Sequence, residues 1–188
     1  MIKKVCVFGS YKDLKTEAKE ETVRLGQMLA QNGITVMSGG FGGVMEDISR
    51  GAKSAGGKTV GVTYYLRGKA PYKKPNDFID EEIVADSLAQ RIDIMLGEAD
   101  DFLVFPGGTG TMMELSTLLE YVNKGLMEPK PIVLFGRFWD PLVSCLKDEP
   151  VYSKKIRSEG KTVCCAELVK FAETSEECIR TLEKEKKG

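Results

Sequence analysis

The chain contains no histidine. That excludes Ser-His-Asp and Cys-His nucleophilic centres and every histidine-containing metal site, so acid–base chemistry falls to carboxylates, Arg, Lys, Tyr or water. Cysteine is sparse: five residues, an odd number, with no C-x-x-C pair. This argues against a disulfide framework and a zinc ribbon, and the adjacent Cys164 and Cys165 read as packing residues with no third ligand nearby. No metal is expected. Neither sign of charge dominates, with 27 basic against 28 acidic residues and a formal net charge of −1. There is thus no electrostatic footprint for duplex nucleic acid or an anionic membrane. Lys184, Lys186 and Lys187 interleave with Glu183 and Glu185 and read as a solvated helix end. No apolar run reaches transmembrane length, and Met1-Ile2-Lys3-Lys4 opens a strand too short for a signal-peptide core. A cytoplasmic protein with no nucleic-acid or membrane partner is the expectation.

What is present is ordinary globular composition, 42% apolar and 29% charged over 188 residues. One domain spanning residues 1–188 can bury a core without staples. Strands are expected at Lys3–Phe8, Ile34–Met37, Thr59–Thr63, Phe102–Phe105 and Pro131–Phe135, with shorter ones at Phe78–Val84 and Lys170–Ala172. Helical spacing runs over Thr16–Gln31 (Ala18, Leu25, Met28, Leu29), from Val44 to Ala55, and over Leu88, Ile92, Met95, Leu96 and Ala99 behind an Asp86 or Ser87 cap. It recurs at Met112, Leu115, Leu118, Leu119 and Val122, from Phe138 to Lys147, and behind a Thr174-x-x-Glu177 capping box. Strands alternating with helices give an α/β fold: a doubly wound, mostly parallel sheet with helices on both faces.

Three strand ends carry small residues: Gly9-Ser10, Gly39-Gly40-Phe41-Gly42-Gly43 and Gly107-Gly108-Thr109-Gly110-Thr111. A strand end, a glycine turn and a helix start together favour an anion, because backbone N–H groups converge there at the positive end of the helix dipole. They suggest a phosphorylated ligand. The alternative is that the glycines only make tight turns. No lysine follows either loop as a P-loop requires. A dinucleotide fingerprint lacks its third glycine, which Met113 replaces, and Val62-Thr63-Tyr64 offers no acidic residue for a ribose diol. The segment from Tyr64 to Asp77, with Arg67, Gly68, Lys69, Pro71, Lys73, Lys74 and Pro75, reads as a loop covering the ligand. Glu114 stands one turn inside the third loop's helix. Its carboxylate either completes a Thr111-x-x-Glu114 capping box or faces the ligand. Arg91 lies beside the apolar stripe of its helix, either snorkelling to the surface or aimed at an anion or base.

Pro106-Gly107-Gly108-Thr109-Gly110-Thr111-x-x-Glu114 matches the P-G-G-x-G-T-x-x-E signature of the LOG family. These are Rossmann-like proteins often called "possible lysine decarboxylase", whose best-known members are cytokinin riboside 5′-monophosphate phosphoribohydrolases. Val5 to Ser10, Gly39 to Met45, Arg91 fifteen residues before Pro106, and Pro131 to Pro141 resemble further family segments. The resemblance implies hydrolysis of a nucleoside 5′-monophosphate to free base and ribose 5-phosphate, with Arg91 and Glu114 catalytic and no cofactor. It further implies that Gly9, Ser10, Gly39, Gly40, Gly42, Gly43, Gly107, Gly108, Thr109, Gly110 and Thr111 hold the nucleotide and its phosphate. A homodimer is implied, to which an apolar helix from Leu115 to Leu126 could contribute, although a face buried within the chain would look the same. No lysine sits in a cofactor-aldimine setting, which argues against decarboxylation. Three positions depart from the pattern: Glu46, Met113 and Thr117. Val44-Met45-Glu46 resembles the branch of molybdenum-cofactor carriers, so a non-catalytic nucleotide or molybdenum-cofactor carrier is the alternative. A single-strand nucleic-acid binder is disfavoured by the near-neutral charge and the lack of an aromatic platform.

Overall fold

The structure, a computed structural model, describes residues 4–65, 74–157 and 163–185. Arg67, Gly68, Lys69, Pro71 and Lys73 of the expected covering loop lie outside the described residues, as do Lys186 and Lys187. The chain runs β1 (Lys4–Phe8), α1 (Thr16–Gln31), β2 (Thr35–Ser38), α2 (Val44–Ser54), β3 (Thr59–Tyr64) and β4 (Glu81–Ala85). It continues through α3 (Leu88–Glu98), β5 (Asp101–Val104), α4 (Thr109–Lys124), β6 (Ile132–Phe135) and α5 (Asp140–Ser144). After α6 (Lys154–Arg157) and a 3-10 turn at Cys165–Leu168 come β7 (Lys170–Ala172) and α7 (Ser175–Glu185).

Among the described residues the strands form one seven-stranded sheet, ordered β4-β3-β2-β1-β5-β6-β7, with every pairing parallel. The fold is α/β and Rossmann-like. The chain builds outward from β1 to β4, then returns to the other side of β1 with β5, so the order reverses between these two strands. Ligands in such sheets gather beyond the carboxyl ends at that reversal. Strand alternation divides the core in two. Val5, Val7, Val36, Leu103 and Val133 pack with α1, α2 and α7; Cys6, Phe8, Met37, Val62, Phe102 and Val104 pack with α3 and α4. Parallel strands buried on both faces need such uninterrupted apolar runs. No described helix is long and apolar enough to cross a membrane.

Helices α1 and α2 cross backbone to backbone. A Cβ on Gly51 would overlap the Val23 carbonyl oxygen, and one on Gly26 would overlap that of Ile48. Alanine in mid-helix gains about 1 kcal/mol of propensity over glycine, but overpacking against rigid backbone costs about 3 kcal/mol. Gly51→Ala is therefore expected to lose about 2 kcal/mol net in urea unfolding; a variant as stable as the parent would refute this packing.

Several sequence expectations change. The helix expected from Phe138 to Lys147 shortens to Asp140–Ser144, because Leu146 N–H bonds to Val143 and Glu149 N–H to Leu146, and the spacing tightens to three residues. Helix α4 stops at Lys124, where Gly125 takes a left-handed φ of +71°, so Leu126 lies outside it and is exposed. Met112 is also exposed, and Ala18 does not face the core. Thr174 does cap α7, accepting from Glu177 N–H at 3.2 Å, but the Glu177 carboxylate takes the Glu173 amide instead of its own cap's.

Candidate active site

Three loops meet beyond the carboxyl ends of β1, β2 and β5. Ser10 N–H donates to the Pro106 carbonyl at 3.2 Å, and the Ser10 carbonyl accepts from Val44 N–H at 2.9 Å. Gly9 and Gly43 allow this closeness. A Cβ on Gly9 would lie 2.7 Å from Val44 Cγ1, and one on Gly43 would overlap the Ser10 carbonyl oxygen. Gly40 and Gly43 also take positive φ, +74° and +65°, which other residues rarely adopt. Ser10 Oγ accepts from Lys12 N–H at 3.0 Å and so folds its own loop.

The third loop is the open one. Gly108 and Gly110 have nothing within 4 Å of a Cβ position, and Gly108, Thr109 and Gly110 are exposed. Helix α4 starts here with Gly108 as its cap and no side-chain cap, and Met112 N–H is bonded to the Gly108 carbonyl. The amides just before Met112 therefore have no carbonyl one turn behind them. Helix α2 differs, because its first turn already holds Glu46 and Asp47, whereas that of α4 holds no acidic residue. Of the two helix starts, α4 suits an anion. Thr111 is buried and turned inward: a Cβ on Gly107 would overlap its Oγ1.

Arg91 and Glu114 meet although 23 residues separate them. Arg91 Nη1 donates to Glu114 Oε1 at 3.3 Å, with the two side chains 7% and 10% exposed. The snorkelling reading of Arg91 is overturned, because the packing of α3 against β3 draws its guanidinium inside. Arg91 Nε donates to the Val62 carbonyl at 2.6 Å. The rings of Phe41 and Tyr64 stand 5.5 and 5.7 Å from Cζ, near each other in edge-on contact. The capping-box reading of Glu114 also fails, because α4 begins two residues before Thr111 and has Gly108 as its cap. Burial pushes the Glu114 carboxyl up from 4.5 to about 7, against the charge and hydrogen bond of Arg91, which pull it down. A carboxyl balanced near neutrality can exchange a proton in the working range.

Gly39 lies against the Arg91 guanidinium, and Gly42 sits between Tyr11 and Glu46. Sequence reasoning missed the part played by four supporting residues. Asn76 clamps the second loop, donating from N–H to the Gly40 carbonyl at 2.7 Å and from Nδ2 to that of Phe41 at 2.8 Å. Its signal was the turn-forming Pro75-Asn76-Asp77. Trp139 Nε1 donates to the Phe105 carbonyl at 3.1 Å and props the end of β5. The aromatic neighbours of Arg91, Phe41 and Tyr64, had no local signal.

Comparison with known proteins follows the same lines. The SLOG cluster4 family model matches residues 2–172. A probable cytokinin riboside 5′-monophosphate phosphoribohydrolase of Oryza sativa subsp. japonica is 30% identical over 168 residues, 87% of this chain and 67% of that protein. The cytokinin riboside 5′-monophosphate phosphoribohydrolase of Mycobacterium tuberculosis is 34% identical over 113 residues, 59% of each chain. Among solved structures, the molybdenum cofactor binding protein of Rippkaea orientalis superposes with a TM-score of 0.67 at 25% identity, over 98% of this chain and 97% of its own. The chain belongs to the SLOG cluster4 family, within the LOG proteins.

Proposed function

We propose that the protein hydrolyses the N-glycosidic bond of a nucleoside 5′-monophosphate, releasing the free base and ribose 5-phosphate. The observation that carries this reading is the buried Arg91–Glu114 ion pair beside the open amide turn of α4. Cleavage of a glycosidic bond builds positive charge on the sugar. An ionised Glu114 stabilises that charge and takes a proton from the attacking water, whose oxygen bonds to C1′ as the bond to the base breaks; the base leaves with the bonding electron pair and takes up a proton from solvent. Arg91, tied to the Val62 carbonyl, fixes the carboxylate. The N–H groups of Gly107 to Thr111 hold the 5′-phosphate, and Gly9, Ser10 and the Gly39, Gly40, Gly42 and Gly43 turn close the nucleotide site.

Relatives named as phosphoribohydrolases support this class of reaction. The test is incubation with a panel of nucleoside 5′-monophosphates, scoring released base and ribose 5-phosphate. Turnover of at least one nucleotide, and none of the matching nucleoside, is expected. The second reading is a carrier that binds a phosphorylated cofactor without converting it. It is favoured by the likeness to the Rippkaea orientalis molybdenum cofactor binding protein and by Glu46 after Met45. Tight binding of a pterin or nucleotide with no turnover across the panel would select it.

A further inference from the structure

Gly39 has no conformational reason to be glycine. Unlike Gly40 and Gly43, it is not among the residues with positive φ. What it lacks is room: a Cβ there would overlap Arg91 Nη2 and lie 2.9 Å from both Arg91 Cζ and Met45 Sδ. The guanidinium is held on its other sides as well. Nε is fixed by Val62, Nη1 by Glu114, and the Phe41 and Tyr64 rings lie beside it. An arginine in this socket can reach Glu114 only if the neighbouring backbone carries no side chain.

We infer that Gly39 is a positioning residue for Arg91, its bare Cα setting where the guanidinium stands and so how it meets Glu114. This deepens the hydrolase reading and rests on it for its kinetic consequences. A methyl at Gly39 meets the end of a flexible side chain rather than backbone, so the chain can fold with the arginine displaced. The carboxylate then loses its cation. Glu114 is faced by Arg91 from α3 and by the Cys6 thiol from β1. Burial and the Glu114 charge push that thiol well up, so it stays neutral in the working range. Arg91 is thus the charge that holds the carboxyl down, and displacing it moves the carboxyl higher.

The experiment compares Gly39→Ala, Arg91→Met and the double variant, with two readouts. In kinetics on the preferred nucleotide, Gly39→Ala is expected to lower kcat about 10²-fold with KM within about threefold, as a misplacement of roughly 1 Å does. In the Arg91→Met background the same substitution should cost less than about twofold, because two changes acting through one contact do not add. The second readout needs no activity. In carbon NMR of glutamate-labelled protein, with the Glu114 signal assigned by its loss in Glu114→Gln, Gly39→Ala should move the Glu114 midpoint upward. Equal kinetic costs in both backgrounds, or an unmoved midpoint, would overturn the inference. A moved midpoint in a protein that turns over no nucleotide would uphold the positioning and defeat the hydrolase reading. Should Gly39→Ala fail to fold, a double variant as stable as Arg91→Met alone supports the clash with Arg91, and one less stable than Arg91→Met contradicts it.

Discussion

Glu114→Gln is expected to lower ribose 5-phosphate release about 10³-fold while leaving nucleotide affinity within a few-fold. Glutamine keeps the shape of the side chain, and its Oε1 can still accept from Arg91 Nη1, which now stands 3.3 Å from the carboxylate. What goes is the negative charge and the ability to take a proton. In the proposed reading, binding rests on different atoms, in the turn at Gly108 to Gly110, which is exposed, so calorimetry with the nucleotide should change little. A variant with parental turnover would remove Glu114 from the mechanism. One that neither binds nor turns over would mean the carboxylate holds the ligand rather than the transition state.

Arg91→Met is the second large expected effect, and it reads out in both activity and stability. The substitution removes the cation from an almost fully buried pair, leaves the Val62 carbonyl without its 2.6 Å donor, and empties the space beside Phe41 and Tyr64. Stripping one partner from a buried ion pair typically costs about 3–5 kcal/mol. Glu114 can escape part of that cost by holding its proton, which gives the effect a pH dependence. In the parent protein the folded carboxyl titrates at about 7 against 4.5 unfolded. The native state therefore binds more protons than the unfolded chain between those values. Stability falls as pH rises through that window, by about 3 kcal/mol in all. Without Arg91 the folded value climbs further and the decline continues above pH 7. Urea unfolding at pH 5 and pH 9 should show a wider gap between variant and parent at the higher pH. Turnover at neutral pH should drop about 10²-fold, because the carboxyl is then protonated. A gap that narrows with pH would contradict the charge assignment.

Much of the frame was legible in the sequence because its signals are local. Helix α1 occupies Thr16–Gln31 as its periodicity requires, Ser87 caps α3 by accepting from Gln90 N–H, and the five inner strands coincide with apolar runs, whereas the edge strand β4 starts at Glu81, three residues after the expected Phe78, and β7 is only Lys170-Phe171-Ala172. Glycine clusters at strand ends marked the loops that meet. The misreadings have physical causes. Thr111 and Glu114 have capping-box spacing, but spacing says nothing about where a helix begins. The glycine turn starts α4 two residues earlier, which carries Glu114 inward. Met112 matches the helical stripe, yet in the first turn of α4 it stands on the exposed side. The four-residue α6 and the 3-10 turn at Cys165–Leu168 are too short to carry a period. The Arg91–Glu114 meeting depends on the sheet order that sets α3 against α4 over one face. No window of sequence contains that order. Gly39 is the plainest case. In the sequence it is one of four glycines in a loop; only its closeness to the guanidinium separates it from the others.

The most direct test of the central claim is kcat/KM for nucleotide hydrolysis from pH 5 to 9. This quantity reports the ionisations of the free protein. If the buried carboxyl beside Arg91 performs the chemistry as an anion, the rate should rise with pH through a single ionisation near 7, and Glu114→Gln should abolish that limb. A rate already at its plateau at pH 5, or a limb that survives in Glu114→Gln, would contradict it.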